Sequence, residues 1–209
     1  MIILIEKVYK NKMNKSLLLE SSCIFDNSTL IDNIRQTYLD LQIESTEEIV
    51  EKYLKEAQKY LEKDLEDDVA NELFQAILDC FTQFAEQLLP IFEDFLKKSK
   101  SNSNYIIITA LVLTYLTHVQ PKLTLPDYQP FVNECLTEIL PQIQQKSECN
   151  LTLFGHPISP PFKIDLIVNL LLSSNQKSKL ISKFFPFISS QDLIKTNPNL
   201  ISLFEDISK

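Results

Sequence analysis

A chain of 209 residues that holds one glycine, Gly155, has few places to turn sharply. Glycine takes a positive φ without a steric penalty, and phosphate-cradling loops and dinucleotide fingerprints use several of them in a short span. A single glycine cannot build either, so a P-loop or a Rossmann-type site is excluded. Two-residue hairpin turns also draw on glycine, so a hairpin-rich β architecture is disfavoured. The expected class is all-α.

The stretch 67–98, DDVANELFQAILDCFTQFAEQLLPIFEDFLKK, carries the clearest helical signal. Val69, Leu73, Phe74, Ile77, Cys80, Phe81, Phe84 and Leu88 recur at steps of three and four, which gathers them on one side of a helix. Asn71, Glu72, Gln75, Asp79 and Gln83 fall largely opposite. Asp67 and Asp68 stand where an acceptor side chain caps the first amides and where negative charge suits the helix dipole. Pro90 cannot continue the ladder, and it suits the first position of a second helix bearing Ile91, Phe92, Phe95 and Leu96. Lys97, Lys98 and Lys100 place cations at the end of that helix, and the polar SKSNSN lets the chain turn. The stretch is a helical hairpin with one apolar seam, and such a seam needs neighbouring helices to cover it.

Those neighbours are legible on both sides. Ser45 and Glu48 fit a capping box for a helix running to about Leu65, striped by Val50, Tyr53, Leu54, Ala57, Tyr60 and Leu61. Glu48–Lys52 and Glu51–Lys55 are spaced as i,i+4 pairs on its outside. Glu62 to Asp68 is acidic and lacks the pattern of a calcium loop, so it reads as a solvated corner. Upstream, residues 1–20 are apolar but irregular, and Asp26–Ser28 offers a cap for a helix from Thr29 to Leu41. Downstream, PKLTLPD is a loop in which Asp127 caps a helix using Phe131, Val132, Cys135, Leu136, Ile139, Leu140 and Ile143. The sequence 146–161, KSECNLTLFGHPISPP, is the longest irregular stretch, either a surface excursion or a sub-boundary within a single 1–209 domain. The apolar run Phe162 to Leu172 and a lysine-bearing helix toward Phe185 follow, and Asn197–Pro198 starts a terminal helix.

One segment, Tyr105 to Val119, is apolar nearly all round. At 12 strongly apolar residues from Tyr105 to Leu116 it is shorter than the roughly 20 a bilayer span requires. It is expected to be a core helix between the amphipathic segments 69–88 and 131–143. The short, interrupted apolar start of the chain does not resemble a signal peptide, so a cytoplasmic or nuclear location is expected.

LLPIF around Pro90, ILPQI around Pro141 and FFPFI around Pro186 share two apolar residues, a proline and a further apolar residue. They lie 51 and 45 residues apart, close to the length of a HEAT or armadillo unit. The stretch 67–146 resembles HEAT repeats, in which one helix leads through a short turn into a second that opens with leucine-proline. VANELFQAILDCFTQFAEQLLPIFEDFLKK is most similar to repeats of karyopherin-type nuclear transport receptors. The resemblance implies a short superhelix of stacked antiparallel hairpins that binds a partner protein on a curved surface, and it supplies no catalytic residues. The alternative arrangement is an irregular multi-helix bundle.

Chemistry finds little to work with. The net charge is −8 and Arg35 is the one arginine, which argues against nucleic acid as a partner. Cys23, Cys80, Cys135 and Cys149 are widely spaced, and Cys80 and Cys135 lie on apolar helical faces as small buried hydrophobes. His118 closes an apolar helix, and neither it nor His156 follows a glutamate by three residues as a di-iron bundle requires. A zinc site from His118, Cys135, Cys149 and His156 lacks close ligand pairs, and Cys149 with His156 lacks a glycine-lined oxyanion turn. No catalytic, cofactor-binding or metal-ligating residue is assigned. The expected function is a non-catalytic scaffold or adaptor for protein partners. A membrane-complex subunit anchored through 105–120 is the second reading, and an enzyme on a helical scaffold the third.

Overall fold

A helix that is apolar on every side must be enclosed, and Ser103–His118 is enclosed. In the computed structural model, which describes residues 47–144, 151–177 and 179–180, its Tyr105 to Ala110, Val112, Leu113 and Leu116 are all buried. Five further α-helices occur among the described residues. In chain order the six are α1 (Glu47–Leu61), α2 (Asp67–Phe84), α3 (Leu89–Lys98), α4 (Ser103–His118), α5 (Gln129–Gln144) and α6 (Lys163–Ser173). Two-residue strands β1 (Thr152–Leu153) and β2 (His156–Pro157) and a 3-10 turn, Pro160–Phe162, lie between α5 and α6. The described region is 72% helical, far above the usual third or so, which makes it all-α.

α2, α3 and α6 all pack on α4, and the α4–α6 contact is the most extensive in the described fold. α6 therefore takes the place expected for 131–143, since α5 packs instead on α6 and β1. Thr114 of α4 bridges this seam to α6. The Thr114 hydroxyl lies 2.9 Å from the Ala110 carbonyl, 3.2 Å from the Asn169 carbonyl and 3.2 Å from the Ser173 hydroxyl. The seam thus joins backbone to backbone through one threonine.

The α2–α3 hairpin forms as its periodicity dictates. Val69, Leu73, Phe74, Ile77, Cys80, Phe81 and Leu88 are buried, Phe84 is half-buried, and Asn71, Gln75 and Gln83 are exposed. The Phe81 ring centroid lies 6.3 Å from that of Phe92 and 6.1 Å from that of Phe95, and Phe95 meets Tyr105 edge-on at 5.9 Å. Aromatic pairs in such tilted arrangements gain about 0.5–1.5 kcal/mol beyond their buried area. Two local expectations are corrected. Asp67 and Asp68 are the first two helical residues, and the cap position is taken by Glu66 without a side-chain hydrogen bond. A capping acceptor must sit on the extended residue before the helix, so the aspartates act only through the dipole. Pro90 is the second residue of α3 and not the first, with Leu89 already helical.

α1 buries Val50, Tyr53, Leu54, Ala57 and Leu61, as its stripe predicts, but ends at Leu61 and not near Leu65. The Glu51–Lys55 pair forms at 2.6 Å, joined by Glu56–Lys59 at 2.7 Å. Its last carbonyls are not left to solvent. The Asn102 amide donates to Leu61 O at 2.8 Å, and the Asn104 amide donates to Leu61 O at 3.1 Å and to Lys63 O at 2.9 Å. Asn102 also accepts from the Tyr105 N–H at 3.0 Å and so caps α4. The polar SKSNSN therefore satisfies the C-terminal carbonyls of one helix and the first amides of another, which is more than a turn needs.

Asp127 Oδ1 accepts from the Gln129 amide at 3.3 Å at the start of α5, as anticipated. Pro141 stands inside α5, whereas Pro90 lies in the first turn of α3. The two prolines therefore share a sequence pattern and not a structural role. The motif at Pro186, residues 1–46 with the Ser45 cap, and the terminal helix at Asn197 lie outside the described residues.

The described part of the 146–161 stretch has two sides, with Thr152, Gly155, Pro157, Pro160 and Pro161 exposed and Leu151, Leu153 and Ile158 buried. Leu153 pairs with His156, and Phe154 and Gly155 between them have φ values of 52° and 80°. Positive φ at both central residues is the signature of a type I′ hairpin turn. The sole glycine thus sits in the one hairpin found among the described residues. Leu151, Leu153 and Ile158 are buried in the same core as the helices, and Phe162 meets Phe74 of α2 edge-on at 5.3 Å.

Candidate functional site

Each residue type able to do chemistry has a definite place. Cys80 on α2 and Cys135 on α5 are buried and unpaired. Burial, and then the neighbouring Asp79, pushes the Cys80 thiol up to about 12. Burial, then Glu134 and Glu138, holds the Cys135 thiol far above its ordinary value, against the smaller pull of Lys100. A thiol that stays protonated is a poor nucleophile and a poor ligand, because the thiolate is the reactive form. Tyr53 on α1 is raised as well, by burial first and then by Cys80 and Tyr60, and its hydroxyl has no hydrogen-bond partner among the described residues. Cys23 and Cys149 lie outside the described residues.

The two histidines do not meet a common partner. His118, exposed in the last turn of α4, is held below 6.5 by partial desolvation and by the Lys177 cation, while a bond to the Leu172 backbone pulls the other way. His156 on β2 lies with Nε2 3.2 Å from the Lys100 carbonyl, so it ties the hairpin to the end of α3. Among the described residues no group of three His, Cys, Asp or Glu side chains is placed to hold a metal ion. In the acidic corner after α1, Glu62 meets the Lys98 cation of its own chain. Lys98 sits 3.6 Å from Glu62 and 3.3 Å from Asp94, and it accompanies a 3.4 Å bond to the Gln58 side chain.

A polar constellation lies where β1–β2 meets α5, and the sequence announces only its α5 side. Lys100 Nζ is 2.6 Å from Glu134 Oε2 and sits 5.2 Å from the centroid of the Phe154 ring. The Phe154 amide donates to Glu138 Oε2 at 2.7 Å. The Gln142 side chain acts like a neighbouring strand: its Nε2 donates to Thr152 O at 2.8 Å and its Oε1 accepts from Thr152 N at 3.0 Å. Glu134, Glu138 and Gln142 follow at steps of four along the exposed side of α5, which is a readable stripe. Their hairpin partners were not readable. A second clamp joins α5 to the end of α6, where Gln129 Nε2 donates to Ser173 O at 2.9 Å and its Oε1 accepts from Asn175 N at 3.2 Å.

These arrangements hold elements together. Exposed ion pairs such as Glu51–Lys55 and Lys100–Glu134 contribute little to stability, about 0–1 kcal/mol each, but they neutralise the surfaces they occupy. Arg35, the one arginine, lies outside the described residues. Among the described residues the large hydrophobic side chains exposed to solvent are Ile49 and Val119. No family model, curated protein or solved structure matches this chain.

Proposed function

We propose that this chain is a non-catalytic α-helical scaffold or adaptor whose partners are proteins, in the manner of HEAT-like helical repeats. The observation that carries the reading is the enclosure of α4. Its apolar surface is the strongest reason for a membrane role, and that surface is spent on α2, α3 and α6. No helix among the described residues is long and apolar enough to cross a membrane. Cys80 and Cys135, with thiols held protonated, and His156, tied to a backbone carbonyl, support the same reading over an enzyme.

The test is to fractionate the cells that make the full chain and then identify proteins that co-elute with it at fixed stoichiometry. The expected result is recovery without detergent, in a complex with one or a few proteins. Retention in membranes through high-salt and alkaline washing would overturn the reading in favour of a lipid-anchored subunit. A stoichiometric metal or cofactor in the purified protein would overturn it in favour of an enzyme.

A further inference from the structure

We draw no further inference here: the strongest candidate, the buried Tyr53 hydroxyl beside Cys80 between α1 and α2, has no hydrogen-bond partner among the described residues, and nothing in the structure shows what chemistry would occupy that position.

Discussion

The α2–α3 hairpin and the segment 151–162 both feed large apolar residues into one core, yet by opposite routes. In α2–α3 the buried side chains repeat with the helix, and the backbone amides are satisfied inside each helix. In 151–162 the regular hydrogen bonding is one two-residue strand pair, and the buried residues Leu151, Leu153, Ile158 and Phe162 follow no helical step. That segment relies on side chains from elsewhere, chiefly Gln142 and Glu138, for its backbone polar groups, and Lys100 covers its Phe154 ring. The contrast teaches that burial and regularity are separate properties. A helix advertises its buried face through periodicity, whereas an irregular plug can be as deeply buried and advertise nothing.

The largest effects weigh the two routes against each other. Phe81→Ala should destabilise by ~3–5 kcal/mol, and Leu153→Ala by ~2–4 kcal/mol, since both residues are fully buried and both truncations leave a cavity. Chemical denaturation of each variant measures this. A Leu153→Ala loss no greater than that of exposed Thr152→Ala would mean that the plug contributes little to the core and would break the comparison.

A smaller effect isolates backbone strain. Gly155 has φ +80° and open space where a Cβ would sit, so Gly155→Ala meets no clash and costs only the left-handed conformation, about 1–2 kcal/mol. Gly155→Asn should cost less, because asparagine tolerates that region. Equal losses for the two would point to a cause other than φ. Smaller again, Gln83→Ala on the exposed side of α2 should change stability by less than about 0.5 kcal/mol. A loss approaching that of Phe81→Ala would mean that the faces of α2 are misassigned.

The smallest effect belongs to neither region and so provides a baseline. His118 has a folded value below 6.5, so the unfolded chain binds more protons in the window just beneath that pH. Its contribution is present above pH 6.5 and is lost as the pH falls through the folded value. Thermal melts from pH 7.5 downward should show a slight loss that His118→Gln removes. A loss that persists unchanged in the variant would assign it to another group.

The sequence alone pointed to the all-α class, to α1 to α5 in the described region and to the buried side of most of them, while it marked 162–172 only as an apolar run, which the structure makes α6. Those properties follow from local spacing: 3.6 residues per turn gathers Val69, Leu73 and Ile77, and a wholly apolar run from Tyr105 to Leu116 demands cover. Tertiary structure decided everything that depends on which surfaces meet. It placed α6 and not α5 on α4, with Thr114 bonded across the seam to Asn169 and Ser173. It made Pro90 a helix start and left Pro141 within a helix, although their flanks read alike. It put the one glycine into a buried-sided hairpin, and it paired Asn102 and Asn104 with the end of a helix some forty residues earlier. Periodicity reports which side of an element is apolar. The choice of partner depends on side-chain volume and on unsatisfied backbone groups at contacts distant in sequence, and local spacing carries no record of either.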